Sequence, residues 1–289
     1  MNSAALLERL LSRALRSAAA EGGPPSLAAA IRHAVFPGGA RMRPRLCLAV
    51  ARACAAEYAP AAMVAAVAIE LLHCASLVHD DLPCFDNAST RRGRPAVHRA
   101  YGENLALLAG DALIVLAFQT VVLDERLEAE QRLKLLQVLA AAAGMPHGIA
   151  AGQGWECESD VVLADYQKSK TGSLFVAATA AAAIAAQVEC APWRKVGEYI
   201  GEAYQVADDI CDVSSSPQLI GKPTGRDAAL GRPNAVAQLG MDGAQRHLQQ
   251  LVDACIAAIP CCPGRDELRA QFEFATQQLL TSRLARPAA

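Results

Sequence analysis

The chain has 289 residues, which is enough for one large domain or two small ones. Hydrophobic residues make up 53% of it but aromatic residues only 4%, because alanine supplies much of the apolar fraction. Alanine is the strongest helix former, so this composition predicts tightly packed helices. The formal net charge of −2 provides no broad basic field, which argues against nucleic acid as a partner.

Four helices are predicted in the first third of the chain. They cover about residues 2–20, the segment after Ser26, the segment opened by Arg43 and Pro44, and residues 61–81. Serine is a good N-cap residue, and proline is favoured in the first turn of a helix. The fourth helix ends near Pro83, because proline cannot continue it, and a loop over residues 87–94 follows.

The rest of the chain also predicts helices. They cover about residues 102–122, 126–143, 146–157, 162–187, 193–213, 227–239, 243–258 and 265–284. No stretch alternates at period two for long enough to form a strand. Glycines between residues 144 and 154 indicate close helix contacts or kinks. Because there is neither a linker nor a repeat, we expect one all-α domain over residues 1–289, a helical bundle around a central cavity.

The ten cysteines do not suggest a disulfide framework. Half of them lie in apolar helical runs, where free cysteine behaves as a small hydrophobic residue: Cys47, Cys54, Cys74, Cys211 and Cys255. No secretory signal is evident in the first 21 residues, so we expect reduced thiols and a cytoplasmic location. The apolar run 174–188 has about 15 residues, fewer than the roughly 20 that a membrane span needs, so no span is predicted.

An acidic cluster near residue 210 groups Asp208, Asp209 and Asp212. Asp208 and Asp212 are four residues apart and share a helix face, and Gln205 lies one turn before Asp208. A solvated acidic face is a weak explanation, because the flanking residues are largely apolar. Like charges at this spacing repel each other unless a cation neutralises them.

The first acidic cluster in chain order groups Asp80, Asp81 and Asp86 and ends the long apolar helix, so the cluster near residue 210 is the second. The C-terminus of a helix is electrostatically unfavourable for carboxylates, which suggests compensation by a metal ion. His73 lies two turns before Asp80 on the same face. A lone histidine on an apolar face is usually a core residue, but alignment with a carboxylate site favours a contact with a ligand.

Basic residues follow both clusters, with Arg91 and Arg92 after the first and Lys222 after the second. Mg²⁺ prefers oxygen ligands and usually binds through one or two carboxylates together with substrate phosphates. The two clusters therefore predict a site in which metal ions hold a diphosphate.

Together these segments resemble the two aspartate-rich motifs of the trans-isoprenyl diphosphate synthases. Supporting segments occur in the family order at residues 38–44, 108–113, 152–153 and 170–174, so the resemblance spans about residues 30–240. One D-D-x-x-D motif is a weak signal, but this ordered set is specific. The sequence is most similar in character to the bacterial geranylgeranyl diphosphate synthases of carotenoid pathways.

The resemblance implies an enzyme that condenses isopentenyl diphosphate with an allylic diphosphate by ionisation, condensation and elimination, with three Mg²⁺ ions per site. The implied metal ligands are Asp80, Asp81, Asp86, Asp208, Asp209 and Asp212. Arg91, Lys170 and Lys222 would contact the allylic diphosphate, and Arg43, His73 and Arg92 the isopentenyl diphosphate. Thr171 and Gln205 would lie beside the developing allylic cation. The released diphosphate would remove the proton, so no side chain is assigned as a base.

The resemblance also implies that product length depends on the residue five positions before the first aspartate. That residue is Ala75, followed by Ser76, and both are small, so we expect a product of twenty carbons. Farnesyl diphosphate is the nearest alternative product. The chain departs from the family pattern at Ala40, where lysine is usual, and Arg41 or Arg45 is a hypothetical replacement. Glu156 stands where the family usually has aspartate.

Three other functions are less consistent with the sequence. A terpene cyclase would usually replace the second aspartate motif and carry an aromatic-rich pocket. A metal phosphohydrolase built on His79 and Asp80 would leave the second cluster unused. A catalytically silent partner subunit would tend to lack one aspartate motif, and both are present. The resemblance implies a homodimer.

Overall fold

The computed structural model describes residues 3–18, 22–36, 38–56, 59–160, 163–214 and 234–284. The first half contains α1 (Ser3–Ala18), α2 (Pro25–Val35), α3 (Met42–Ala53), α4 (Pro60–Asp80), β1 (Thr90–Arg91), β2 (Arg94–Pro95), α5 (Val97–Tyr101) and α6 (Glu103–Val122). The second half contains α7 (Ala129–Ala143), α8 (Ile149–Gly154), a 3₁₀ turn (Trp155–Cys157), α9 (Leu163–Gln167), a π-helical turn (Lys168–Gly172), α10 (Ser173–Ala185), α11 (Cys190–Ser214), α12 (Ala235–Ala258) and α13 (Arg265–Leu284). The all-α prediction is confirmed.

Helix α4 lies at the centre of the main core. It begins with Pro60 at its first position and packs against α3, α6 and α10. Alanine and branched aliphatic residues on most of its surface are buried, from Ala61 to Val78. Small side chains let several helices approach one axis, which explains how α4 packs against many other helices at once. The acidic end of α4 is therefore held by the core.

Helices α11 and α12 form a second apolar layer. Val206 and Ile210 of α11 pack with Leu248 and Val252 of α12. Asn234 caps α12, because its side-chain oxygen accepts a hydrogen bond from the amide of Ala237 at 2.7 Å. This layer holds the acidic end of α11 close to the first turn of α12.

Several predicted boundaries were wrong. The loop predicted over 87–94 includes most of an antiparallel hairpin, in which Thr90 pairs with Pro95 and Arg91 with Arg94. A π-helical turn interrupts the helix predicted over 162–187. The helix predicted over 243–258 begins already at Ala235 and kinks at Gly240, whose φ is +68°. Most of the helix predicted over 227–239 lies outside the described residues.

Two of the described helices are long and apolar enough to cross a membrane by length and composition, namely α4 and α6. The apolar window of α4 is 78% buried inside the protein, as in the core helix of a globular fold. The window of α6 is only 39% buried, so one face of that helix is open. The run 174–188, considered in the sequence, is mostly the buried helix α10.

Candidate active site

The first acidic cluster is a tight turn at the end of α4. Asp80 is the last helical residue and Asp81 the C-cap. The amide of Asp86 donates to the carbonyl of Asp80 at 2.9 Å, and the amide of Ala88 donates to that of Asp81 at 3.2 Å. These bonds satisfy carbonyls that a helix end leaves unpaired. They also return Asp86 toward Asp80, as the sequence predicts.

Arg91 closes this turn from the hairpin. Its Nε donates to both oxygens of Asp81, at 3.0 and 3.2 Å, and its Nη2 donates to Oδ1. Burial raises the pKa of the Asp81 carboxyl more than these bonds lower it, and the charges of Asp80 and Asp86 raise it further. The cluster therefore has an excess of negative charge, which a bound cation would neutralise.

Lys170 and Gln153 both bind Asp80. Gln153 Nε2 donates to Asp80 Oδ1 at 3.0 Å, and Lys170 Nζ donates to the same oxygen at 3.2 Å. Lys170 also donates to Glu156 Oε1 at 2.8 Å, and the hydroxyl of Tyr166 donates to that oxygen at 2.6 Å. Lys170 thus lies between two carboxylates that fix the position of its charge.

Close backbone packing brings Lys170 to this position. A Cβ atom at Gly152 of α8 would lie 2.5 Å from the Cα of Lys170, so the two segments meet only because residue 152 is glycine. Lys170 is part of the π-helical turn Lys168–Gly172, and such turns are often found at functional sites. The predicted close contact at the glycines of 144–154 is thus confirmed at Gly152.

The second acidic cluster lies on α11 and is connected to the same π-helical turn. Thr171 Oγ1 donates to Gln205 Oε1 at 2.9 Å, and Gln205 Nε2 donates to Asp209 Oδ1 at 3.0 Å. The amide of Ala235 donates to the other oxygen of Asp209 at 2.8 Å. Asp209 is only 4% exposed, and these two hydrogen bonds satisfy its buried carboxylate. Asp208 is half-buried.

Two predicted site residues have no described side chain. The backbone of Asp212 belongs to α11, which places it one turn after Asp208, but its side chain is not described. Lys222 lies outside the described residues.

Arg43 and His73 are neighbours in the part of the site proposed for isopentenyl diphosphate. Arg43 Nη1 is 3.4 Å from His73 Nε2, and the Arg43 guanidinium stacks over the ring of Phe175 with 4.6 Å between Cζ and the centroid. Burial lowers the pKa of His73 well below its ordinary value, and the charges of Arg43, Arg92 and other arginines lower it further. His73 is therefore neutral at physiological pH, and its Nε2 accepts from Arg43.

The Arg43 guanidinium also has unused hydrogen-bonding capacity. Its Nε is buried and has no hydrogen-bond partner among the described residues. Burial lowers the pKa of this guanidinium, which is the expected effect where a charge lacks a close anion. A bound anion would supply both the charge and the acceptor.

Arg41 does not replace the lysine that the family usually has at position 40. Its guanidinium is buried and donates to Glu8, to Glu70 and to the carbonyl of Val35. These contacts occupy all three of its guanidinium nitrogens. Ala40 is exposed, and Arg45 is also exposed.

The two residues proposed to control product length lie one turn above Asp80. Ala75 is 1% exposed and belongs to the main apolar core. Ser76 donates its hydroxyl to the carbonyl of His73 at 2.9 Å, and its own carbonyl accepts from Gln153 Nε2 at 3.1 Å. The amide of Gln153 thus connects this part of α4 to Asp80.

The residues present are suited to Mg²⁺. Among the described side chains, no three carboxylates, histidines or cysteines are grouped closely enough to enclose a metal ion by themselves. Mg²⁺ does not require such a cage, because it usually keeps waters and takes one or two carboxylates together with substrate phosphates. The oxygen donors of Asp80, Asp86 and Asp208 are of the chemical type that it binds.

A sequence profile of the family described as polyprenyl synthetase matches residues 24–263. The chain belongs to the polyprenyl synthetase family. A geranylgeranyl diphosphate synthase from Cereibacter sphaeroides is 47% identical over 282 residues, which cover 96% of this chain and 98% of the relative. A geranylgeranyl diphosphate synthase from Rhodobacter capsulatus is also 47% identical, with 95% of each chain covered. A farnesyl diphosphate synthase from Geobacillus stearothermophilus is 37% identical, with 80% of this chain and 81% of the relative covered.

Solved structures of related enzymes have the same fold. A geranyltransferase from Helicobacter pylori, complexed with magnesium and isoprenyl diphosphate, is 27% identical with a TM-score of 0.78, covering 96% of this chain and 98% of its own. An FPP/GFPP synthase from Zymomonas mobilis is 31% identical with a TM-score of 0.78, covering 95% and 99%. The helical architecture of this polyprenyl synthetase is therefore that of isoprenoid synthases.

Sequence reasoning had assigned no contact to two residues of this polyprenyl synthetase. Glu156 was noted only as a replacement for aspartate, yet it is hydrogen-bonded to Lys170. Tyr166 was not considered, although its hydroxyl binds Glu156. The position of Glu156, three residues after Gln153 where the family usually has aspartate, was the one available signal. Tyr166 gave none, because its contact depends on how the π-helical turn packs on α8.

Proposed function

We propose that this polyprenyl synthetase is a Mg²⁺-dependent geranylgeranyl diphosphate synthase. It condenses isopentenyl diphosphate with allylic diphosphates and releases a product of twenty carbons. The 47% identity to two geranylgeranyl diphosphate synthases over nearly the whole chain carries this proposal. The farnesyl diphosphate synthase relative is more distant, at 37% identity, and farnesyl diphosphate is the second candidate product.

The proposed metal ligands are the carboxylates of both clusters, Asp80, Asp81, Asp86, Asp208, Asp209 and Asp212, with three Mg²⁺ ions per site. Bound Mg²⁺ would stabilise the negative charge that develops on the leaving diphosphate. Arg91 and Gln205 hold Asp81 and Asp209 in fixed orientations. A carboxylate has about four lone-pair positions, so these bonds leave capacity for a metal ion.

Arg91, Lys170 and Lys222 are the proposed contacts of the allylic diphosphate. Lys170 is held between Asp80 and Glu156, so its charge is in place before the substrate arrives. Fixed charges need no reorganisation when the carbon–oxygen bond breaks, which is the basis of electrostatic catalysis.

Thr171 and Gln205 are proposed to stabilise the allylic cation. The hydroxyl hydrogen of Thr171 is directed to Gln205 Oε1. The lone pairs of the Thr171 oxygen therefore remain available to a positive charge nearby. The isopentenyl double bond then attacks the cation, and the released diphosphate takes the proton that is lost.

Arg43, His73 and Arg92 are proposed to bind isopentenyl diphosphate. Arg43 offers a buried Nε that lacks a partner in the described part of the chain, and His73 stays neutral beside it. A diphosphate accepts several charge-assisted hydrogen bonds, which suits this arrangement.

We also propose that the protein is a homodimer located in the cytoplasm. One face of α6 exposes apolar side chains at helical spacing, including Leu108, Val115 and Val122, each at least 47% exposed. An apolar stripe of this kind is typical of a protein interface. All ten cysteines are free thiols, which suits a reducing compartment.

Incubation with isopentenyl diphosphate and each allylic diphosphate tests the function. The purified protein, with Mg²⁺, should extend dimethylallyl, geranyl and farnesyl diphosphates to twenty carbons, as read by mass spectrometry. Chelation of Mg²⁺ should abolish the reaction. A product that stops at fifteen carbons would support the second candidate, and no elongation of any starter would overturn the proposal.

A further inference from the structure

A carboxylate in the middle of α4 has no role in the mechanism above. Glu70 is 1% exposed and lies one helical turn before Cys74, whose thiol donates to it at 3.8 Å. Arg41 Nη1 is 2.5 Å from its Oε1, and Arg92 Nη2 is 3.9 Å from the same oxygen. A charge buried this deeply is costly unless it is paired, so both arginines are electrostatically bound to it.

Two consecutive glycines let the arginines reach this carboxylate. A Cβ atom at Gly38 would lie 2.3 Å from the guanidinium carbon of Arg41. A Cβ atom at Gly39 would lie 2.9 Å from Nε of Arg92. A side chain at either position would force the arginine that passes it to move from its present position. The glycine pair is thus matched to the two side chains that converge on Glu70.

The two arginines have different surroundings. Arg41 also donates to Glu8 of α1 at 2.9 Å and to the carbonyl of Val35 at 2.8 Å, so its position is fixed by three elements. Arg92 has a side chain that is 20% exposed and belongs to the hairpin. Its φ of +54° is unusual for a non-glycine residue and directs it back toward α4.

We propose that Glu70 is the positioning residue of the isopentenyl diphosphate site and acts through Arg92. The buried charge of Glu70 attracts the Arg92 guanidinium and fixes its orientation. The solvent-exposed part of that guanidinium then faces the substrate. Glu70 itself touches no substrate, since it is only 1% exposed. This inference rests on the proposed function, because Arg92 is assigned to isopentenyl diphosphate there.

The variant Glu70→Gln tests the inference, with the KM of each substrate measured separately. We expect the KM for isopentenyl diphosphate to rise about tenfold, because Arg92 loses its counter-charge. The KM for the allylic diphosphate should change less than twofold, since Arg91 and Lys170 are bound to other carboxylates. Glu70→Asp, which keeps the charge, should recover most of the affinity and serves if Glu70→Gln folds poorly.

Glu8→Gln is the matched control. It removes the other carboxylate that binds Arg41 but leaves Glu70 and Arg92 in place, so both KM values should stay near those of the wild type. A rise in the isopentenyl KM equal to that of Glu70→Gln would mean that the effect passes through Arg41, and would overturn the proposal.

A double-mutant cycle with Arg92→Ala is a second test of whether Glu70 acts through Arg92. In that background Glu70→Gln should raise the isopentenyl KM no further, because the group through which Glu70 acts is gone. Additive effects, or equal changes in both KM values, would contradict the inference. Absence of condensation by the wild type would instead contradict the proposed function, so the two failures are distinguishable.

Discussion

At the residue scale, the central aspartate of each cluster is held by the protein itself. Asp81 accepts hydrogen bonds from Arg91, and Asp209 accepts from Gln205 and from the amide of Ala235. Both carboxylates are at most 4% exposed. The orientation of these two carboxylates is therefore fixed by the protein before any ligand binds.

Removal of Arg91 should therefore destabilise the fold as well as weaken substrate binding. Arg91→Ala leaves Asp81 buried without its partner, and breaking a buried ion pair from one side costs up to about 3–5 kcal/mol. The Arg91 side chain is 29% exposed, so we expect about 2–3 kcal/mol by urea unfolding. The double variant with Asp81→Asn should be more stable than Arg91→Ala alone; an equal or lower stability would argue against the pair.

His73 should make the stability of the protein depend on pH. Burial and the surrounding arginines hold the pKa of His73 well below 6.5, so the unfolded chain binds a proton that the folded protein does not. The unfolding free energy should then fall as the pH drops below about 6.5, by up to about 1.4 kcal/mol per pH unit. No such loss arises above that pH, where both states are neutral.

Urea unfolding at pH 7.5 and 5.5 checks this expectation. His73→Gln should lose less stability on acidification than the wild type does. The exposed His147 provides the control, since His147→Gln also removes an imidazole but from an exposed position. Identical pH dependence in all three proteins would show that His73 makes no contribution.

Candidate site residues could be predicted from the sequence, but most of the hydrogen bonds and ion pairs between them could not. Asp80 and Lys170 are 90 residues apart; the acidic cluster pointed to Asp80, whereas Lys170 was assigned only by the family resemblance, and the structure brings the two into contact. The hypothesis that Arg41 replaces the missing lysine was not supported, because a left-handed residue with φ of +50° turns its side chain toward Glu70. Such a backbone angle has no signature in the residue type. The catalytic, metal-binding and substrate-binding roles of all the site residues stay predictions, including those of Asp212 and Lys222.

At the scale of elements, the site is assembled from segments that touch through glycine. A Cβ atom at Gly201 of α11 would lie 2.8 Å from the Cα of Gly172, the last residue of the π-helical turn. Lys170 and Thr171 come just before that contact, and Gln205 comes one turn after it. The two halves of the site are thus joined backbone to backbone.

Gly201→Ala should separate these segments. The added methyl group must push α11 away from the π-helical turn, and overpacking of this kind costs about 1–3 kcal/mol. We expect kcat to fall because the bond between Thr171 and Gln205 lengthens. Gly154→Ala is the control: no atom lies within 4 Å of its added carbon, so stability and turnover should be unchanged or slightly improved. Similar losses in both variants would contradict the contact.

The long helices could be predicted from the sequence, whereas the short hairpin and the π-helical turn could not. Ala61 to Asp81 was predicted within one residue at each end, because an apolar run between prolines has clear limits. The hairpin at Thr90–Pro95 was missed, since strands of two residues are too short to show alternation. The π-helical turn was missed because its sequence, Lys168–Gly172, continues a helical pattern.

At the scale of the whole molecule, product length should depend on the core next to Ala75. Ala75→Tyr places a large ring beside α4, one turn above Asp80, and should shorten the main product from twenty toward fifteen carbons. Overpacking should also cost about 1–3 kcal/mol, so unfolding is measured in parallel. Ala75→Ser is the control and should leave the product unchanged. An unaltered product in the tyrosine variant would place the limit elsewhere.

The open face of α6 should be the dimer interface. The double variant Leu108→Glu with Val115→Glu introduces four like charges into a dimer and should give monomers in light scattering. Leu133→Glu on α7 changes a residue that is 57% exposed and should leave the dimer intact. A wild type that is already monomeric, or a double variant that remains dimeric, would exclude this surface.

The contact between Gly172 and Gly201 also limits how the enzyme can be redesigned. A Cβ atom at Gly201 would lengthen the spacing between the two halves, whereas a Cβ atom at Gly172 would meet only Gln167 O and Lys168 Cγ, each at 4.0 Å. Both halves are proposed to hold the diphosphate group, which is common to every prenyl substrate. Efforts to alter substrate choice should leave this pair untouched and vary positions such as 75, where the hydrocarbon differs between substrates.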